Sequence, residues 1–174
     1  VEKIKTLKQG NPMDPTTKIG CLINENAAIR VEEQVNQTVS EGAKIIIGGK
    51  RNGAFYEPTI LDDVNETMEV AKDMEIFGPV ISVIGFDDVE DAIRIANQSH
   101  YGLCGNVITK DMKKAFEVAR KLEVGGAVIN GSSFYRSFEM PFGGWKHSGI
   151  GNEGVLTTLK EMSHTKTIVL KNIL

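Results

Sequence analysis

The 174-residue sequence predicts an α/β fold with three layers, in which helices cover both faces of a parallel sheet. Three observations predict it. The second half alternates β-branched apolar runs with stretches of helical period. The connections between them are short, which favours right-handed crossovers and parallel pairing. The composition is that of an ordinary globular domain, with 41% of residues in the AVILMFWYC set and 25% charged.

The first half opens with a short helix, in which Val1, Ile4 and Leu7 recur every three residues and Gly10 supplies a left-handed stop. A loop follows through Asn11-Pro12 and Asp14-Pro15. Residues 26–41 form a longer helix with Ala27, Val31, Val35 and Val39 on one face and Gly42 at its end. The continuous apolar run at 43–48 reads as a buried strand. The chain turns at Asn52-Gly53, and residues 56–61 make a second strand broken by Pro58.

The second half is more regular. Strands are expected at 80–86, 103–109 and 126–130. Between the first two lies a helix capped by Asp87, with Val89, Ala92, Ile93 and Ala96 inward. A second helix at 111–122 turns Met112, Ala115, Phe116, Ala119 and Leu122 to one face. A loop at 131–151 is too long to be a simple connector. It leaves the carboxyl end of a strand, where open parallel sheets bind ligands. A helix near 152–162 and a final strand at 165–170 complete the chain.

Several function classes are excluded. The net charge of −3 carries no electrostatic footprint for nucleic acid. No apolar run approaches the ~20 residues of a membrane span. The N-terminal residues read as an amphipathic helix and not as a secretory signal. Cys21 and Cys104 make neither a disulfide framework nor a metal signature, which points to a reducing, cytoplasmic setting. Both are expected to be small buried side chains and not nucleophiles. His100, His147 and His164 lack zinc-type spacing, and His147 stands out only for its place in the long loop. The first residue is valine, so either processing has removed a segment or the sequence is a piece of a longer protein.

Gly149 to Gly154 spells G-x-G-x-x-G, but the residues before it read as loop and no βαβ unit follows. These glycines are expected to turn the backbone into the next helix. Two other segments hold more chemistry. In Glu75-Ile76-Phe77-Gly78-Pro79, residues i and i+2 of an extended chain share a side. A carboxylate there accepts hydrogen bonds from vicinal hydroxyls, and an aromatic edge holds a planar ring. A surface glutamate beside a core phenylalanine fits the same pattern. The second segment is the long loop, which holds Phe134, Tyr135, Phe138, Phe142 and Trp145, five of the chain's eleven Phe, Tyr and Trp residues. They can wall a pocket in which Arg136 anchors an anion, or fold back on one another.

The ordered set EIFGPV, YGL followed by TKD, Val128-Ile129-Asn130 and PFGGWKHSGIGNEG, with the closing KT-I-V strand, resembles the carboxyl-terminal part of the aldehyde dehydrogenase superfamily. The resemblance covers essentially the whole chain. It implies residues 1–162 as part of a catalytic domain and 163–174 as an oligomerisation strand that pairs with a neighbouring subunit. It further implies NAD- or NADP-dependent oxidation of an aldehyde to a carboxylic acid. In that family a cysteine thiolate attacks the carbonyl, hydride leaves for the nicotinamide, and a glutamate-activated water hydrolyses the thioester. Glu75 is then expected to bind the nicotinamide-side ribose and Phe77 to position the nicotinamide, with the glycine-rich stretch walling the same cleft. Phe142 is expected to line the substrate tunnel. Arg136 and Ser137 in the selectivity loop suggest a small anionic or hydroxy aldehyde such as succinate semialdehyde. No metal is expected.

The sequence departs from the family in one respect. The family's nucleophilic cysteine and general-base glutamate lie upstream of the region it resembles, so the chain supplies no catalytic residue and is expected to be inactive alone. A smaller departure is Asn152, where an arginine is common. A noncatalytic oligomerisation module is the alternative reading.

Overall fold

The computed structural model describes residues 1–172. They fall into two compact units, Val1–Ser99 and the described residues from His100 onward.

In the first unit, α1 (Glu2–Lys5) is a single turn, shorter than its apolar spacing suggests. Gly10 does not stop it; its N–H instead donates to Ile19 O at 3.0 Å. Helix α2 (Glu25–Ser40) starts at Asn24, whose side chain accepts from the Ala27 N–H at 2.8 Å. It ends before Gly42, where φ is +122°. Strand β1 (Lys44–Ile47) follows, then a hairpin of β2 (Arg51–Asn52) and β3 (Phe55–Tyr56) around Gly53. Pro58 separates β3 from β4 (Thr59–Val64). A 3₁₀ turn at Glu69–Ala71, β5 (Val80–Ile84) and α3 (Val89–Asn97) complete the unit.

The sheet runs β1-β4-β5. β4 and β5 are parallel as expected, whereas β1 is antiparallel to β4. The 43–48 run was expected to be buried, yet Ile45 and Ile46 are 40% and 46% exposed, because β1 is the edge strand of this sheet. A continuous apolar run signals two covered faces, and among the described residues this strand does not have them. The core lies beneath α2, where Val31 and Val35 meet Ala43, Tyr56, Leu61, Val64 and Met68. Burial pushes the Tyr56 phenol up to about 12, and its hydroxyl has no partner among the described residues. The α3 cap is Asp88, not Asp87, its carboxylate accepting from the Asp91 N–H at 2.8 Å.

The second unit holds β6 (Tyr101–Gly102), β7 (Cys104–Val107), α4 (Met112–Lys121), β8 (Gly126–Ile129), β9 (Trp145–Lys146) and α5 (Val155–Glu161). β7, α4 and β8 form a parallel strand–helix–strand unit, paired from Cys104↔Gly126 to Val107↔Ile129. Asp111 caps α4, and Ala115 and Leu122 are buried beneath it, whereas Met112 and Phe116 are half exposed. The long loop holds one strand that its sequence hides: β9 pairs antiparallel with β6. Two-residue strands have no periodicity to read. Residues 165–170 pair with no strand among the described residues, and Ile168, Val169 and Leu170 are exposed. Positions 173–174 of the expected oligomerisation strand lie outside the described residues.

Candidate functional site

Residues 74–77, before β5, belong to no helix or strand, and the Ile76 carbonyl accepts from Gly78 N at 2.8 Å, closing a tight turn at Phe77. Ile76 packs on the core of its unit, while Glu75 and Phe77 on either side of it are exposed. The alternation sends both side chains away from the core. The bland alternative, a core phenylalanine, does not hold: Phe77 is 74% exposed. The segment is clamped onto α2, since Gln34 Nε2 donates to the Glu75 carbonyl at 3.3 Å. Glycine at 78 is required by closeness, because a Cβ there would meet Val31 Cγ2 at 2.7 Å and Cγ1 at 2.9 Å. The Pro79 carbonyl then accepts from Thr59 N at 2.8 Å and locks the chain into the sheet. A carboxylate and an aromatic ring thus stand exposed two residues apart, on a segment tied to α2 and to the sheet.

In the second unit, Arg136, Ser137 and Phe142 line one cavity of about 700 Å³, together with Phe138, Met140 and Val155. The loop is tied across its base by two backbone hydrogen bonds, Phe142 N to Glu153 O at 2.8 Å and Glu153 N to Phe142 O at 2.6 Å. The Arg136 guanidinium carbon stands 3.4 Å from the centre of the Phe142 ring. Cation–π attraction holds the charge over the face of Phe142. Among the described residues Arg136 has no carboxylate partner. Ser137 differs from expectation: its hydroxyl donates to Glu139 Oε2 at 2.8 Å, which holds the Glu139 carboxyl below its ordinary value. Its proton is committed inside the loop.

Met140, Glu153 and Val155 also line the cavity and were missed in the sequence. Met140 arrives with the loop itself, whereas the pairing of Phe142 with Glu153 brings Glu153 and Val155 there, and the ten intervening residues without strand periodicity give no sign of it. The glycines of the 143–154 stretch serve close backbone packing. A Cβ on Gly143 would collide with the Gly151 carbonyl, and one on Gly144 with Ser148. Gly149, Gly151 and Gly154 all have positive φ, at 156°, 73° and 137°. The helix begins at Val155, three residues later than expected. This matches turning glycines and not a phosphate-binding fingerprint.

Cys21 is exposed, contrary to expectation, because it lies in the loop before Asn24 and the neighbouring Leu22 takes the place against the core. Cys104 is partly buried on β7. Among the described residues no group of three or more His, Cys, Asp or Glu side chains could hold a metal ion, and no helix is long and apolar enough to cross a membrane.

Comparison with known proteins gives consistent matches. The profile of the aldehyde dehydrogenase family matches residues 1–168. The 3-sulfolactaldehyde dehydrogenase of Priestia aryabhattai is 47% identical over 169 residues, covering 97% of this chain and 35% of that protein. The crystal structure of aldehyde dehydrogenase 21 from Physcomitrella patens, in complex with the reaction product succinate, superposes with a TM-score of 0.92 at 41% identity. It covers 99% of this chain and 36% of that one. A glyceraldehyde-3-phosphate dehydrogenase from Methanocaldococcus jannaschii, complexed with NADP, gives a TM-score of 0.89 at 45% identity, over 96% of this chain and 36% of the other. The chain spans about a third of the length of the curated relatives it matches.

Proposed function

The chain belongs to the aldehyde dehydrogenase family, and on that premise we propose that it is part of an enzyme that oxidises a small anionic aldehyde to a carboxylic acid with NAD or NADP. The observation that carries the substrate class is Arg136, stacked on Phe142 in the cavity and without a carboxylate of its own. An aldehyde ending in carboxylate, sulfonate or phosphate supplies that partner, and a planar guanidinium grips such groups in bidentate fashion. Three of the matched proteins act on, or are bound to, molecules of this kind: sulfolactaldehyde, succinate and glyceraldehyde 3-phosphate; others are lactaldehyde dehydrogenases, named for a neutral hydroxy aldehyde. Succinate semialdehyde fits the same description. Phe142 serves twice, as the shelf for Arg136 and as an apolar wall for the substrate's carbon chain.

Glu75 and Phe77 are assigned to the cofactor. Glu75 accepts hydrogen bonds from the ribose hydroxyls, and Phe77 presents its ring to the nicotinamide. When bound, the nicotinamide accepts the hydride released by the substrate. The part played by this chain is orientation: a clamped segment fixes the ring at little entropic cost. Residues 163–174 are assigned to pairing with a neighbouring copy in a homo-oligomer. The exposed apolar side chains at 168–170 support this, as does the lack of a ladder partner among the described residues.

Neither Cys21 nor Cys104 has the surroundings of an activated thiol. Cys21 is exposed in a loop, and Cys104 lies partly buried in β7 beside Gly126. The isolated 174-residue chain is therefore expected to show no aldehyde-dependent NAD(P)H formation. Aldehyde-dependent turnover by the purified chain, and most directly turnover abolished by Cys104→Ala or Cys21→Ala, would overturn this division of labour.

A further inference from the structure

We propose that His100 and His147 form a two-imidazole site for a borderline divalent transition cation, of the class of Zn²⁺ or Ni²⁺, on the ribbon made by β6 and β9. The register Gly102↔Trp145 and Tyr101↔Lys146 continues to His100 and His147, where His147 N donates to His100 O at 2.9 Å. Residues directly opposed in an antiparallel pair carry their side chains on one face, with Cβ atoms about 4.5–5.5 Å apart. Here the two rings lie 5.7 Å apart, centre to centre, and are nearly parallel at 18°. With metal–nitrogen bonds of about 2.0–2.1 Å, two imidazoles on one ion have ring centres about 4.5–6.4 Å apart. The observed separation falls inside that range, and the stacked rings would turn their nitrogens toward a common ion by side-chain rotation.

The surroundings suit a cation. Both histidines are exposed, so water can complete the coordination sphere. The positive charge of the adjacent residue, Lys146, is bound to Glu123 at 2.7 Å. Tyr101 stands edge-on to His147 at 6.2 Å and backs its ring. Lys146 itself is held in the left-handed region at φ 54°, a conformation uncommon for a residue with a side chain. Such strain clusters where a neighbouring group has to be aimed, and here the next residue is His147. Imidazole nitrogen selects zinc, nickel and copper over magnesium or calcium. The site is independent of the aldehyde chemistry and can be tested on the chain as it stands.

The test is calorimetric titration of Ni²⁺ into the 174-residue chain, with Cu²⁺ electron paramagnetic resonance as a second readout. One ion per chain is expected, with two coupled nitrogens on Cu²⁺. His100→Gln and His147→Gln should each weaken binding by about tenfold or more, since the second contact of a chelate is intramolecular. His164→Gln and Cys21→Ala should leave it unchanged. Wild-type affinity in both ribbon variants, loss of binding in His164→Gln or Cys21→Ala, or a single coupled nitrogen in the wild-type chain would each overturn the proposal.

Discussion

Leu61→Ala should lower stability by about 3 kcal/mol, within the ~2–5 kcal/mol range for truncating a fully enclosed leucine. Leu61 is 0% exposed on the central strand of the first sheet, between the α2 face and β5. It touches no proposed ligand, so the loss comes from burial and from the cavity left behind. Closely packed neighbours cannot close that cavity, since Val31, Val35 and Tyr56 are themselves 2%, 0% and 1% exposed. Urea denaturation followed by circular dichroism would show the midpoint falling with an unchanged slope. A loss below about 1 kcal/mol would mean that the sheet is not packed on α2 in this way. The same core supports Ile76, so the variant is also expected to loosen the 75–77 segment in hydrogen exchange.

Arg136→Ala, made in the longer enzyme, should raise KM for an anionic aldehyde by roughly 10–150-fold. This follows from the ~1.5–3 kcal/mol typical of a hydrogen bond to a charged group. A neutral aldehyde of similar size should be affected little, because Phe142 and the other apolar walls remain. Arg136→Lys should rescue only in part: lysine brings the charge but neither the planar fork nor the stacking on Phe142. An equal rise for charged and neutral aldehydes would show that Arg136 shapes the loop and does not bind the anion. Ser137→Ala offers a contrast. With its hydroxyl already given to Glu139, its loss is expected to change substrate preference less than that of Arg136.

Most of the architecture was legible because the signals were local. The inward face of α2 at Ala27, Val31 and Val35, the break at Pro58 between β3 and β4, and the βαβ rhythm of the second unit are all written within a few residues, whereas the α3 cap read at Asp87 lies one residue before the observed cap, Asp88. What failed depended on distant partners. The apolar 43–48 run promised burial, but covering requires a neighbour on each face, and β1 is an edge strand. β9 is two residues long and exists because β6 lies beside it. The start of α5 moved from 152 to 155 because Gly151 and Gly154 have positive φ, where a helix cannot begin. At the site the balance was similar. Glu75 and Phe77 are exposed on either side of the packed Ile76, as alternation suggests, and the aromatic content of the loop pointed to a pocket. Glu153 escaped notice because only its backbone pairing with Phe142 carries it to the cavity wall.

The most direct measurement of the cofactor assignment is the NAD(P) dissociation constant of the longer enzyme, set beside its Glu75→Gln and Phe77→Ala variants. The assignment predicts that Glu75→Gln weakens cofactor binding by about tenfold, the worth of a charge-assisted hydrogen bond, with the aldehyde KM unmoved. It predicts that Phe77→Ala lowers kcat through a nicotinamide no longer held in place. Unaltered cofactor affinity in Glu75→Gln, together with an unaltered kcat in Phe77→Ala, would mean that this exposed pair faces something other than the dinucleotide.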